Sequence, residues 1–410
     1  MLMLNKIFKC KGWTTAGFTI FQNWIFVKLV IDGRYQFFCP HCGVPLIRHT
    51  SRVIKIRDLP ISDKQVTICA QTFGGRCPQC QSFSTIRPPL AHPSMGFTRR
   101  MMEQISRRHL HEPAQTIADF YAISIASVLR IDKWVLSTTL PPPRRDELDA
   151  ILIDEKYLGP SHGFVTMVLH AHSGEPIYMS QGKDGKALDA FFTSLTEEQK
   201  QAIRYVGIDR ANAYKAAALT HLPHVEICYD AYHLVSNMNE VVDKIRRKEM
   251  AHPPEALRRR LVGMRYILLR ANEKLDQSSE ERLNTLLLFN RTLNKAYILK
   301  EQFRSIFRCN NEYNALLSLI SWVKMSVASG IPLLKRFAIG IADKFNGIMN
   351  GIRYGVNSAR IESANAAIKR IMSRSCGLGD SHYLFDKLRQ AFFLRHPFLR
   401  LKLIPICQQI

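Results

Sequence analysis

Two neighbouring carboxylates, Asp154 and Glu155, follow a short apolar run in "AILIDEKYLG". The run predicts a buried strand, and a charge at the end of a buried strand is costly unless it has a partner. Neighbouring strand residues point to opposite faces of a sheet, so only one of the two carboxylates faces a given site. We choose Asp154 as the site residue and expect Glu155 on the other face or behind the site.

A second carboxylate, Asp209, ends a later strand-like run, "RYVGID". Three strand-like runs begin at residue 150, and helices then alternate with the strands "RYVGID" and "HVEICYD". This order predicts an antiparallel meander inside a mixed α/β sheet, as in ribonuclease-H-like domains. The first and fourth strands can lie side by side in such a sheet, so Asp154 and Asp209 can meet.

Four cysteines form two pairs with metal-binding spacing, Cys39 and Cys42 in "CPHC" and Cys77 and Cys80 in "CPQC". Each spacing is typical of a zinc knuckle, and two knuckles make one closed four-thiolate site. Strand-like text lies between the pairs, so we predict a zinc ribbon with one structural Zn²⁺. The alternative is four unrelated core cysteines, but two such pairs rarely coincide by chance.

The segment "AQTIADFYAISIASVLRIDKW" has the apolar spacing of two short helices joined by a tight turn. This pattern is typical of a helix-turn-helix, in which the second helix reads DNA. Ser124 is expected to cap that second helix, with Ser127 and Arg130 on its outer face. We predict that Ser124, Ser127 and Arg130 contact DNA. An ordinary helical hairpin shows the same periodicity and is the alternative.

The chain is strongly basic, with 57 Lys and Arg against 34 Asp and Glu and a formal net charge of +23. Such an excess favours a polyanionic partner, nucleic acid ahead of an anionic membrane surface. No apolar run reaches the roughly 20 residues that span a bilayer. The opening residues have too short an apolar stretch for a signal peptide, so we expect a cytoplasmic protein without a membrane partner.

Proline-rich segments, "IRPPLAHPSMG" and "LPPPRRDELD", mark the joints between domains. A long stretch before Glu362 has helical spacing and many basic residues, which predicts an all-helical insertion. Trp322 and Tyr266 in this stretch are candidates for stacking on a base, although such residues are more often core. The expected fold is a multidomain α/β protein with these parts: zinc-ribbon domain, 1–92; helix-turn-helix domain, 93–140; ribonuclease-H-like catalytic domain, 148–234 and 346–395; helical insertion, 235–345; C-terminal tail, 396–410.

The chain resembles the ISL-three family of bacterial insertion-sequence transposases, of the DDE class, in an ordered set of segments. These are the ribbon with "RDLP", the helix-turn-helix, "IDEKYLG", "GIDRANAY", "DAYHLVSNMNE" and "RIESANAAIKRI". The resemblance runs from about residue 37 to about residue 395. It implies that Asp154, Asp209 and Glu362 are the catalytic residues. Asp230 and His233 in "DAYH" match the Asp-x-x-His signature that transposases of this broader kind carry on the fifth strand. A structural role and a role near the carboxylates or DNA both stay open for this pair.

The resemblance implies a DNA transposase that binds terminal inverted repeats and catalyses strand cleavage and strand transfer. Its partners would be double-stranded DNA, both element ends and target, and we expect a homodimer or higher oligomer in the bacterial nucleoid. Two divalent ions about 4 Å apart suit phosphodiester chemistry without a covalent intermediate. Mg²⁺ or Mn²⁺ prefers carboxylate oxygens, so the resemblance assigns the ions to Asp154, Asp209 and Glu362.

The helical segment "NSARIESANAAIKRI" carries Glu362, Asn365 and Lys369 at spacings of three and four, so these residues share one face. We expect Ser358 to cap this helix. One face would then offer a carboxylate to the ions and a cation, Lys369, to the DNA backbone.

Two other functions compete with this interpretation. A zinc-ribbon regulator that binds DNA without catalysis would explain the charge, the cysteines and the helix-turn-helix, but not the two Asp-ended strands. A ribonuclease-H-like recombination nuclease would explain those strands, and strand transfer to a second duplex distinguishes it from a transposase.

Overall fold

The computed structural model describes residues 7–8, 10–145, 147–209, 212–251, 263–356, 359–375, 378 and 380–395. The predicted cap Ser358 and the tail 396–410 lie outside these residues. Contacts divide the chain into two compact units, one formed by 1–141, 370–378 and 389–410 and the other by 142–369 and 379–388. No helix in the described ranges combines the length and apolar character needed to cross a membrane.

The first unit contains a five-stranded sheet followed by helices. The strands are β1 (Trp13–Phe21), β2 (Trp24–Ile31), β3 (Ile47–Ile61), β4 (Lys64–Arg76) and β5 (Phe83–Ile86), and the helices that follow are α1 (Arg99–His109), α2 (Ala114–Tyr121) and α3 (Ile125–Thr139). The sheet order is β1-β2-β4-β3, with β5 also paired to β4. The β3–β4 hairpin lies between the two cysteine pairs, as a ribbon requires.

The hairpin of β1 and β2 has no counterpart among the sequence predictions. β2 pairs with β4 in parallel, and its inward residues Val27 and Leu29 are fully buried against β4. The segment "WTTAGFTIFQNWIFVKLVI" is rich in aromatic and β-branched residues, and this composition could have indicated the two strands. The ribbon sheet therefore has a larger core than its cysteine hairpin alone would supply.

The "RDLP" segment joins the sheet to the helices within this unit. The Arg57 guanidinium donates to the carbonyl oxygen of Tyr121 at the end of α2, at 2.6 Å. The buried Asp58 carboxylate accepts from the Thr98 hydroxyl at 2.6 Å and from Arg100 at the start of α1. Charge-assisted bonds of this kind are stronger than neutral ones, so they tie the helices to β3.

The second unit contains the mixed sheet. Its strands are β6 (Ala150–Tyr157), β7 (Phe164–His170), β8 (Pro176–Gln181), β9 (Tyr205–Ile208) and β10 (Glu226–Tyr229), in the order β10-β9-β6-β7-β8. β6, β7 and β8 form an antiparallel meander, whereas β9 pairs in parallel with β6 and β10 in parallel with β9. The predicted mixed sheet, with its first and fourth strands side by side, is confirmed.

Helices complete the described chain. They are α4 (Lys186–Thr193), α5 (Glu197–Ala202), α6 (Asn212–His221), α7 (Ala231–Glu249), α8 (Met264–Leu269), the 3-10 turn Asn272–Lys274, α9 (Gln277–Phe289), α10 (Arg291–Ile306), α11 (Glu312–Ala328), α12 (Pro332–Ala342), α13 (Phe345–Arg353), α14 (Ala359–Arg374) and α15 (Ser381–Arg395). From α7 to α13 the described residues form helices and connecting loops only. Trp322 is 1 % exposed and donates to the Leu299 carbonyl at 2.7 Å, so it packs in the core, whereas Tyr266 is 70 % exposed.

Helix α13 packs on the edge strand β10 through two glycines. A Cβ at Gly347 would lie 2.6 Å from the Tyr229 ring, and a Cβ at Gly351 would overlap the Tyr229 carbonyl oxygen. The strand leads directly into Asp230, so this close approach supports the position of that carboxylate.

We expect Gly351→Ala to lower the free energy of unfolding by about 1–3 kcal/mol, because the added methyl group overlaps backbone that has little room to move. Gly340→Ala is the matched control, since Gly340 is also helical but has open space around it. There, the better helix propensity of Ala should leave stability unchanged or raise it by about 0.5–1 kcal/mol. Thermal or urea unfolding measures both variants, and equal effects at the two glycines would contradict the packing argument.

Candidate functional site

Asp154 lies within β6 and is 6 % exposed. The expectation that Asp154 ends its strand is wrong, because β6 continues to Tyr157. The reason lies in the two neighbours of β6. Its antiparallel pairing with β7 extends to Tyr157, whereas its parallel pairing with β9 stops at the Ile153–Ile208 pair. Asp154 is thus the first residue beyond the parallel ladder.

Asp209 is the corresponding residue on the neighbouring strand, because it directly follows Ile208. The two aspartates therefore emerge beside each other where β6 and β9 separate. Burial raises the pKa of the Asp154 carboxyl, and the negative charge of Asp209 raises it further. The mutual repulsion of two such carboxylates is relieved when a cation binds between them.

Glu155 lies on the opposite face of β6. It is directly opposite Thr166 on β7, and the Thr166 hydroxyl is 2.8 Å from the Tyr214 hydroxyl of α6. Burial raises the pKa of Tyr214, and the charge of Glu155 adds to that effect. The structure thus separates the two neighbouring carboxylates, with Glu155 toward α6 and Asp154 toward α14.

Helix α14 carries Glu362, Asn365 and Lys369 at helical spacing, and Asn365 contacts Asp154. The side-chain amide of Asn365 donates from Nδ2 to Oδ2 of Asp154 at 2.7 Å. Glu362 and Lys369 are exposed. The sequence placed Asn365 on the same helical face as Glu362 but did not identify it as a partner of Asp154.

Asp230 and His233 lie at the start of α7, where β10 ends. Asp230 is 3 % exposed, and its carboxylate accepts from the Tyr232 backbone N–H at 3.3 Å and so caps the helix. His233 lies between two carboxylates, with Nδ1 3.7 Å from Asp209 Oδ2 and Nε2 3.8 Å from Asp230 Oδ2. The histidine thereby links the ends of β9 and β10.

The carboxyl group of Asp230 has the properties of a group that needs a cation or a proton. Burial raises its pKa, and the negative charge of Glu362 raises it further. Its Oδ2 atom is buried and has no hydrogen-bond partner in the part of the chain that the structure describes. The charge of Asp209 thus acts on the Asp154 carboxyl, and the charge of Glu362 on the Asp230 carboxyl.

The oxygen donors of Asp154, Asp209 and Glu362 match the preference of Mg²⁺ or Mn²⁺ for carboxylates, so in donor chemistry the residues fit divalent ions. The oxygens of the three carboxylates nevertheless lie farther apart than the ligand atoms around a single bound ion. Within the described residues, the four cysteines alone form a group of three or more His, Cys, Asp or Glu ligand atoms within 4.8 Å of one another.

The four cysteine sulfurs, by contrast, are already gathered. Sγ–Sγ distances are 3.3 Å for Cys42 and Cys77, 3.6 Å for Cys39 and Cys80, and 3.7 Å for Cys42 and Cys80. A tetrahedral Zn²⁺ with Zn–S bonds near 2.3 Å requires sulfurs about 3.8 Å apart. The cluster is therefore compatible with the predicted structural Zn²⁺.

The two helices predicted for DNA recognition are present as α2 and α3. Ala122 between them is left-handed, with φ of 49°, and makes the turn tight. The Ser124 hydroxyl caps α3 by accepting from the Ser127 backbone N–H at 3.2 Å. Ser124 and Arg130 are exposed and Ser127 is half-buried. The cap is confirmed, whereas contacts of these residues with DNA stay a prediction.

Comparison with known proteins adds to this geometry. The profile of the ISL3 family of DDE transposases, described as "Transposase", matches residues 151–388. The transposase for insertion sequence element IS1001 of Bordetella parapertussis is 27% identical over 358 residues, which cover 86% of this chain and 88% of that protein. The transposase for insertion sequence element IS1557 of Mycobacterium tuberculosis is 26% identical over 250 residues, which cover 55% of this chain and 56% of that protein.

These matches define a transposase, and they extend over both the sheet and the helices that carry the candidate carboxylates. The chain belongs to the ISL3 family of transposases.

Proposed function

We propose that this protein is the transposase of a bacterial insertion sequence, which binds the terminal inverted repeats and catalyses metal-dependent cleavage and strand transfer of DNA. One observation supports the catalytic part most strongly. Asp154 and Asp209 directly follow Ile153 and Ile208, the last residues paired between the parallel strands β6 and β9, and α14, which carries Glu362, is hydrogen-bonded to Asp154. Together with the order of the strands, this arrangement favours a ribonuclease-H-like domain of the DDE class.

In this proposal Asp154, Asp209 and Glu362 hold two Mg²⁺ or Mn²⁺ ions. When bound, the ions supply the positive charge that makes a water or a 3′ hydroxyl nucleophilic and stabilises the leaving oxygen. His233 orients Asp209 and Asp230 from between them. Lys369, exposed two turns after Glu362, contributes a cation for the DNA backbone.

Cleavage and strand transfer by the full-length protein test the proposal. The substrate is labelled duplex carrying the inverted repeats that flank the coding region, supplied with Mg²⁺ or Mn²⁺ and a second, target duplex. A transposase nicks the repeat end and joins it to the target. A regulator binds the same DNA without cutting it, and a recombination nuclease cuts without joining, so either outcome would refute transposition.

Sequence recognition by α3 gives a separate prediction. Arg130→Ala in the full-length protein should reduce the preference for end-repeat DNA over random DNA by about 1–3 kcal/mol if the side chain contacts a base. Lys335, which is exposed on α12, provides the control. Lys335→Ala should weaken binding to both DNAs equally or leave it unchanged, and both proteins should lose affinity steeply as salt rises.

Competition binding at fixed salt measures this preference. Equal loss of affinity for repeat and random DNA in Arg130→Ala would place recognition elsewhere in the chain.

A further inference from the structure

The hydrogen bond between Asn365 and Asp154 joins residues that are 211 positions apart in the chain. Asp154 is almost fully buried, and Asn365 is half-buried on α14. The amide meets a carboxylate that the proposed function assigns to the metal ions. Its position one turn after Glu362 places it on the same helix face as a second candidate ligand.

The amide of Asn365 is paired at one end only. Its Nδ2 donates to Asp154, while its Oδ1 is buried without a hydrogen-bond partner among the described residues. The orientation is nevertheless determined, because a flipped amide would set its oxygen against the carboxylate oxygen. A buried acceptor without a partner costs about 1–3 kcal/mol. The bond to Asp154 is therefore the contact through which this amide acts in the described part of the chain.

We propose that Asn365 is a positioning residue that holds the Asp154 carboxylate in the orientation required to bind divalent ions, an inference that rests on the proposed function. The terminal torsion of an aspartate is broad, so a carboxylate turns readily unless a partner restrains it. Asn365 restrains the Oδ2 atom of this carboxylate and thereby fixes the plane in which both oxygens lie. The same bond ties to β6 the helix face that also carries Glu362.

Hydrogen-bonded partners of metal ligands commonly change metal affinity or activity 10- to 100-fold when they are removed. Asn365→Leu removes the amide but keeps the size and branching of the side chain, and Leu is a strong helix former. Asn365→Ala removes the side chain more fully, and Asn365→Gln keeps the amide on a longer stem. A second amide offers a matched control, because Asn350 of α13 donates to the Ile227 carbonyl of β10 at 3.3 Å, a helix-to-strand bond away from Asp154.

The test is a Mn²⁺ titration of the full-length protein, followed by the shift of its thermal unfolding temperature and by cleavage of end-repeat DNA. Asn365→Leu and Asn365→Ala should raise the Mn²⁺ concentration at half-maximal effect by about 10- to 100-fold in both readouts. Asn365→Gln should recover part of this loss. DNA affinity without metal should stay at the wild-type value, and Asn350→Ala should lower thermal stability without moving the Mn²⁺ midpoint.

Asp154→Asn separates failure of this inference from failure of the proposed function. If wild type responds to Mn²⁺, Asp154→Asn does not, and Asn365→Leu titrates like wild type, the positioning role is wrong while the proposed function stands. If Asn350→Ala moves the Mn²⁺ midpoint as far as Asn365→Leu does, the effect is general loosening of the sheet and the inference is also overturned. If wild type and Asp154→Asn respond alike, the proposed metal site itself is refuted, and the role of Asn365 with it.

Discussion

Asp154→Asn, Asp209→Asn and Glu362→Gln should each abolish metal-dependent cleavage of end-repeat DNA while DNA binding and folding persist. Each amide keeps the shape of the acid but removes the charge that holds an ion. Ions in such sites supply several kcal/mol of transition-state stabilisation, so we expect a loss of about a thousandfold or more. Folding should survive because an asparagine oxygen at position 154 still accepts the hydrogen bond from Asn365.

Glu155→Gln is the matched control for this prediction. Glu155 is the chain neighbour of Asp154, but it faces Thr166 and Tyr214 on the other side of the sheet. Its substitution should reduce cleavage far less than that of Asp154. Cleavage gels and mobility-shift assays measure the two activities on the same DNA. Near-normal cleavage by Glu362→Gln, or equal inactivation by Glu155→Gln and Asp154→Asn, would refute the assignment.

Loss of the zinc centre should be the second large effect. We expect about one Zn²⁺ per chain, and Cys77→Ser should lose it together with the fold of the ribbon and the binding of repeat DNA. Cys77 is fully buried, 3.3 Å from the Cys42 sulfur, and belongs to the hydrophobic core of the first unit. Zinc sites in small domains contribute about 10–16 kcal/mol in apparent binding free energy, which is comparable with the whole stability of a domain, about 5–15 kcal/mol.

Cys69→Ser tests whether this effect belongs to the metal ligands. Cys69 lies on β4, the same strand that leads to Cys77, but it is partly exposed and outside the four-sulfur cluster. The Cys69→Ser protein should keep a zinc content and an unfolding temperature close to the wild-type values. Metal analysis of the purified proteins and thermal unfolding with and without a chelator give both quantities. Wild-type protein without zinc, or Cys77→Ser with unchanged zinc, would show that the cluster is not a metal site.

The contacts of Arg57 and Asp58 connect the zinc prediction with the prediction that Arg130 recognises repeat DNA. Both residues lie on β3 of the ribbon sheet, and they bind the end of α2 and the start of α1. Loss of zinc should therefore disturb the helices that precede and carry Arg130, as well as the ribbon itself. Weakened repeat binding in Cys77→Ser follows from this connection even if the ribbon does not touch DNA.

Several features of this protein follow from the sequence alone. Metal-ligand spacing is a local property, so "CPHC" and "CPQC" predicted the gathered sulfurs. Helix capping acts within three residues, so Ser124 was correctly predicted to cap α3. The alternation of apolar runs and helices predicted the mixed sheet and the neighbouring positions of Asp154 and Asp209.

Other features were decided by the tertiary structure. Three such features are the parallel pairing of β2 with β4, the continuation of β6 past Asp154 and the bond between Asn365 and Asp154. Each depends on contacts between segments that are distant in the chain, which no local sequence pattern specifies. A strand ends where its last neighbour ends, and β6 has two neighbours of different extent. The partner of a helical side chain depends on how that helix packs and turns on the sheet. Spacing within α14 placed Asn365 and Glu362 on one face, but only the tertiary structure brought Asn365 to Asp154.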